Sequence, residues 1–282
     1  MSKVFSENGT LLLGVEKSET NLLDKPLQFS EYTILLISKG EGIYQADFAS
    51  FAFNAPVILF STPQQSIALK EISPLTYITL QFHGDFYCIE YHRQEVACNG
   101  LLFNNIYLEP SIKLTAEQHQ LYCQLVDQIT DEIKQQTPSE IVLRAYLQLM
   151  LAKSSSLKTN SEKQNFQKDE KMDQFRILLE ENFLTLHKAS DYASLLSMTS
   201  NNFTKQCSKR FNKTPTQMIQ ERLILEAKKQ LHLTRLSIKE IAYALKFQDE
   251  YYFSRVFKKM TKVSPQTFRK TTGISIVADL SS

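Results

Sequence analysis

The sequence predicts an α+β chain of more than one domain: a strand-rich N-terminal half with flanking helices, a polar linker and an all-helical C-terminal half. Three observations predict it. Short apolar runs broken by Gly and Pro occupy Tyr32 to Phe82, the apolar period lengthens to that of a helix after Thr115, and one small module occurs twice near the C-terminal end. Phe203, Cys207, Lys209 and Pro215 are echoed fifty residues later by Phe253, Phe257, Lys259 and Pro265.

In the first half, Tyr32 to Ile37, Val57 to Phe60 and Tyr77 to Phe82 are β-branched and aromatic runs. Gly40, Gly42, Asn54, Pro56, Pro63 and Pro74 mark the turns between them, so these runs read as strands of a β-sandwich or barrel. From Thr115 to Gln135 the residues Leu121, Leu125, Ile129 and Ile133 recur every four positions, with Tyr122 and Val126 beside them, which is one face of a helix. A second helix is expected after Thr137 as N-cap and Pro138 at its first position, with Glu140 in the first turn. Its expected apolar face is Ile141, Val142, Ala145, Leu149 and Met150. These two helices either cover the β core or present a seam that pairs two chains. Residues 154–170 are almost wholly polar and read as a linker, which places the domains at 1–153 and 171–282.

Charge divides the chain at the same place. Residues 1 to 170 hold 13 Lys and Arg against 20 Asp and Glu, a net of −7, whereas residues 171 to 282 hold 19 against 10, a net of +9. Such an asymmetry points to an anionic partner, and duplex DNA is the first candidate. No segment has 18 uninterrupted apolar residues and the N-terminus lacks a basic stretch followed by an apolar run, so a cytoplasmic protein without a membrane partner is expected. The four cysteines, Cys88, Cys98, Cys123 and Cys207, lack CxxC spacing and read as reduced thiols.

In the C-terminal half, Met172 to Phe183 is an amphipathic helix that covers the first module. Ser190 and Asp191 start the next helix, Ser197 and Met198 make a turn, and Thr199 caps a third helix to Phe211, with Asn212 in the left-handed conformation after it. One continuous helix spans Thr216 to Leu231. In the second module Ser237 caps a helix bearing Ile238, Ile241, Ala242 and Leu245, and Lys246 to Gln248 turn the chain. Asp249 then caps Glu250 to Met260. Ala193 and Ala242 hold matching places where two helices cross closely.

Each module is therefore helix, short turn, helix, with polar and basic residues on the second helix. Side chains placed to reach base edges are Asn201, Asn202, Thr204 and Lys205 in the first copy and Glu250, Tyr251, Ser254 and Arg255 in the second. Ser200, Ser208, Lys209, Lys258, Lys259 and Arg269 suit phosphate contact, where no base information is needed. Phe203, Phe253 and Phe257 read as core.

Ile241-Ala242, Phe247, Tyr252-Phe253-Ser254-Arg255-Val256-Phe257-Lys258-Lys259, Ser264-Pro265 and Phe268-Arg269 resemble the signature of the AraC/XylS-type transcription regulators, over about residues 171 to 272. The resemblance implies seven helices that form two helix-turn-helix units on DNA. It also implies a cupin-like N-terminal domain that binds a small-molecule effector and makes a homodimer. The family usually has Gly at the positions of Lys246 and Lys262, so either these turns change geometry or a Lys adopts positive φ.

The alternative is a cupin-type metalloenzyme or a ligand-binding protein with an appended helical domain. Its ligands would come from His83, Glu90, His92 and Glu95, but the spacing of two His one residue apart, a carboxylate and a later His is absent. Neither a nucleophile with a local base nor a Gly-rich phosphate loop occurs, and no cofactor is expected.

Overall fold

Antiparallel pairing of apolar runs builds the first unit in a computed structural model that describes residues 2–47, 49–87, 89, 101–103, 106–164 and 169–273. Its strands are β1 (Ser2–Phe5), β2 (Leu11–Ser18), β3 (Leu27–Gln28), β4 (Tyr32–Lys39), β5 (Glu41–Ala46), β6 (Ala49–Asn54), β7 (Val57–Ser61), β8 (Ser66–Glu71), β9 (Thr76–Phe82) and β10 (Ser111–Lys113). One sheet runs β1-β2-β9-β4-β7-β10 and the other β3-β8-β5-β6. The three runs expected as strands are β4, β7 and β9, adjacent in the middle of the larger sheet, where Ile34 lies opposite both Phe60 and Leu80.

Both faces of these central strands are covered, which is why they read as unbroken apolar runs. Leu35, Ile37, Leu59 and Tyr77 pack with Tyr44, Phe51, Phe53 and Leu69 of the smaller sheet. Ile34, Leu36, Ile58, Phe60, Leu80 and Phe82 pack instead with helical residues. Among the described residues the outer strands β1 and β10, and β3 and β6, pair on one side only, so the unit is a sandwich and the barrel alternative is set aside. The smaller sheet escaped the apolar-run reading because its strands alternate: Ala49, Phe51 and Phe53 of β6 are buried and Ser50, Ala52 and Asn54 exposed. Gly40 belongs to the turn between β4 and β5 at φ 96°, and a Cβ there would lie 2.5 Å from the Pro74 carbonyl oxygen.

Helices α1 (Ala116–Ile133) and α2 (Glu140–Gln164) cover the larger sheet. Thr115 and Gln118 form a capping box at the start of α1, and Tyr122, Leu125, Val126, Ile129 and Ile133 are its buried face, as its period predicts. α2 departs from expectation in three ways. Its start is set by Ser139, whose hydroxyl accepts from the Val142 N–H at 3.5 Å, and not by Thr137. Its buried face is Leu143, Leu147, Met150 and Leu151, which leaves Ile141, Val142, Ala145 and Leu149 exposed.

It also continues to Gln164, through eleven residues of the expected linker. The physical reason is that polar residues here are buried and paired. Ser154 donates to the Met150 carbonyl at 2.8 Å and meets the Tyr122 hydroxyl at 2.9 Å, while Lys158, 5% exposed, donates to the Ser111 carbonyl at 3.0 Å. A contact face made of hydroxyls and one ammonium carries no apolar period. Of the remaining linker positions, 165–168 lie outside the described residues, while Asp169 caps and Glu170 opens the next helix.

The second unit comprises Asn165–Ser282 together with the upstream tetrapeptide Ile106–Glu109. Its helices are α3 (Glu170–Asn182), α4 (Ala189–Leu195), α5 (Ser200–Phe211), α6 (Pro215–Leu233), α7 (Ile238–Ala244), α8 (Glu250–Thr261) and α9 (Pro265–Thr272). Phe175, Tyr192, Phe203, Cys207, Met218, Ile241, Phe253, Phe257 and Phe268 share one core. Burial pushes the Cys207 thiol up to about 12, so it packs as a neutral group against the Met218 sulfur at 3.3 Å. Among the described residues no helix is long and apolar enough to cross a membrane.

Replacing Lys158 by Met keeps the stem and deletes the donor to Ser111. The first unit should lose about 1 to 3 kcal/mol, read as an earlier urea midpoint of the full chain.

Candidate nucleic-acid interface

The two helix pairs are joined by the same hydrogen-bonded turn. After α4, the Met198 N–H donates to the Ala193 carbonyl at 2.9 Å and the Ser197 N–H to the Ser194 carbonyl at 3.0 Å; after α7, Phe247 donates to Ala242 at 3.0 Å and Lys246 to Tyr243 at 3.0 Å. This double bond pattern requires a left-handed residue, and Ser197 and Lys246 supply it at φ 52° and 61°. Lys246 thus adopts the glycine geometry. The second helices end alike, at Asn212 with φ 55° and Lys262 with φ 66°.

Starts are matched as well. The Thr199 hydroxyl accepts from the Asn202 N–H at 3.3 Å and the Asp249 carboxylate from the Tyr252 N–H at 2.6 Å. One difference separates the copies: Thr199 follows Ser197 by two positions, Asp249 follows Lys246 by three, so the second turn is longer by Gln248.

The second helix of each pair buries one face and exposes the other. In α5, Phe203, Cys207 and Phe211 are buried, while Ser200, Asn201, Asn202, Thr204, Lys205, Ser208 and Lys209 are all exposed on one helix. In α8, Phe253 and Phe257 are buried. Tyr251 is 81% exposed, Arg255, Lys258 and Lys259 are exposed, and Glu250 and Ser254 are half-buried. Lys209 with Arg210, and Lys258 with Lys259, occupy the last turns, where their charge also complements the helix dipole. Arg269 is placed differently: its Nε donates to the Leu231 carbonyl at 3.1 Å and its Nη2 to the Leu236 carbonyl at 2.6 Å, so part of the guanidinium ties α9 to the end of α6.

Residues 192–271 match the family model for a helix-turn-helix domain. The C-terminal domain is of the AraC type. Among solved structures, the chain is similar to an apo ToxT variant from Vibrio cholerae at 17% identity, covering 93% of this chain and 97% of that one with a TM-score of 0.44. Wild-type ToxT with a bound unsaturated fatty acid is similar at 16% identity, covering 94% and 96% with a TM-score of 0.42. The C-terminal domain of the response regulator yesN from Fusobacterium nucleatum is similar at 24% identity, covering 35% of this chain and 96% of that one with a TM-score of 0.34. No curated protein sequence matches the chain.

Two further residues of the AraC-type domain bear on its exposed faces. Gln206 donates from Nε2 to the Asn202 Oδ1 at 3.3 Å, and the Arg255 guanidinium lies over the Tyr252 ring at 5.9 Å, with Tyr252 itself against Phe247 at 5.9 Å. Both are visible in the sequence as neighbours one helical turn apart, at i, i+4 and i, i+3. Of the metal-site alternative, His83 is buried with its Nδ1 3.4 Å from Asp85 Oδ2, and Glu90, His92 and Glu95 lie outside the described residues.

Replacing Lys246 or Lys262 by Gly removes a Cβ from a left-handed position. Each change should raise the stability of the AraC-type domain by up to about 1 kcal/mol, measured as a later thermal midpoint.

Proposed function

We propose that the chain is a sequence-specific transcription regulator that reads two successive major-groove segments of duplex DNA. The observation that carries this reading is the duplicated unit: one cap, one turn and one exposed polar and basic helix face occur on each side of a single helix. That helix, α6, has 19 residues, a length of about 28 Å. With the width of the units it approaches the ~34 Å between major-groove segments on one side of B-DNA. A continuous helix holds both faces without the entropy loss a flexible tether would incur on binding.

Arg255 would read a guanine by a bidentate pair and Asn201 or Asn202 an adenine. Thr204, Lys205, Glu250, Tyr251 and Ser254 are the other base-edge candidates. Ser200, Ser208, Lys209, Lys258 and Lys259 would hold phosphates, and the N–H groups of Arg269 not bound to Leu231 and Leu236 suit the same role. The β-sandwich is the place for a small-molecule effector. The exposed stripe Ile141, Val142, Ala145 and Leu149 on α2 would pair two chains into a homodimer. Such a regulator works in the cytoplasm.

Affinity for a selected operator should fall steeply and linearly in log-log form with salt, as counterions leave the phosphates. Arg255→Ala should cost about 1 to 3 kcal/mol and relax preference at one base pair, whereas Lys258→Ala should weaken all sequences alike and lower the salt slope by about 1. Salt-independent affinity, or none for any duplex, would overturn the reading. In sedimentation, Leu149→Glu should convert a dimer to a monomer; a monomeric wild type would remove the seam from the account.

A further inference from the structure

The tetrapeptide Ile106–Glu109 is part of the helical unit although Pro110, which follows it, belongs to the first. It is held by several different contacts. Ile106 is 7% exposed in the helical core, and its carbonyl accepts from the Lys213 ammonium at 3.1 Å. Lys213 in turn pairs with Glu221 at 2.6 Å, both largely buried. The Tyr107 hydroxyl donates to Glu180 Oε1 at 2.6 Å, while Glu180 Oε2 accepts from Arg222 at 2.9 Å. Arg176 lies over the Tyr107 ring at 5.0 Å, and that ring meets Phe211 edge-on at 6.1 Å. Burial first, and the Glu180 carboxylate next, push the Tyr107 phenol well above its ordinary value, so it stays a donor.

We propose that α3, the end of α5 and the start of α6 form a peptide-docking site whose ligand is this chain's own Ile106–Glu109, and that seating it braces the first reading helix. Phe211 is the last residue of α5, and Lys213 sits in the two-residue connection before the Thr214 cap of α6. The docked peptide therefore grips the joint between the reading helix and the helix that spaces the two units. Its contacts with Phe211 and Lys213 fall at the end of α5 and beyond it, and Phe211 lies on the buried face of that helix.

The test is hydrogen exchange on the full chain, which does not depend on the DNA reading. Tyr107→Ala should speed exchange of amides in residues 208–222 about tenfold while 250–261 stay unchanged. Tyr107→Phe, which keeps the ring and deletes the hydroxyl that donates to Glu180, should give about threefold. Affinity for DNA carrying both segments should fall by a similar factor in each variant. If Tyr107→Ala does not fold, Tyr107→Phe alone decides. Unchanged exchange at 208–222, or an equal rise in both units, overturns docking; faster exchange there with unchanged DNA affinity overturns bracing. If wild-type protein binds no duplex while the exchange result holds, the DNA reading fails and the docking site stands.

Discussion

The helical domain depends on one backbone constraint, met twice: a helix must end by folding an N–H back onto a carbonyl five residues earlier. Ala193 and Ala242 provide those carbonyls, and Met198 and Phe247 provide the donors. The bond fixes the direction in which the chain leaves the first helix and hence the crossing of the second. Alanine at the accepting position leaves room for that crossing. The donor residue is apolar and turns inward: Phe247 is 7% exposed and packs edge-on against Phe253 of α8 at 5.2 Å. Turn, core and reading face are thus one geometric decision. The non-glycine residues at positive φ mark where local conformational preference yields to it.

Most of the helical domain was legible because its signals are short-range. Caps such as Thr199 and Asp249, and the apolar pairs Phe203 with Cys207 and Phe253 with Phe257, lie within one or two helical turns of what they control. The central strands were legible because burial on both faces writes itself as an unbroken apolar run. What escaped notice was decided by partners far along the chain. Lys158 looks like a solvated residue until Ser111 is set beside it, and the stripe of Ile141, Ala145 and Leu149 looks like core until Leu143 and Leu147 are found to hold that place. The candidate site was legible as exposed faces of α5 and α8. The anchoring of Arg269 on two carbonyls was not, since both belong to a segment more than thirty residues earlier.

The charge asymmetry of the sequence takes a specific form in the folded helical domain. Several acidic groups there are paired within the domain: Glu180 and Glu226 with Arg222, Glu221 with Lys213, while the Asp249 and Glu240 carboxylates accept backbone N–H groups at helix N-termini. The lysines of α5 and α8 are left facing outward. Ion pairs that are partly buried keep their partners as salt rises, while exposed ammonium groups respond to the solution. Internal cohesion and external attraction therefore draw on different charges, and one can be altered without the other.

The tetrapeptide at Ile106 adds a consequence for how the chain acquires its shape. Its bonds to Glu180 and Lys213 close intervals of 73 and 107 residues, whereas the caps and helix pairs of the same domain close intervals of a few. Contacts of short sequence separation form early and those of long separation late. During synthesis the tetrapeptide leaves the ribosome well before the helices that will receive it, so the helical domain's final consolidation awaits a piece made first and placed last.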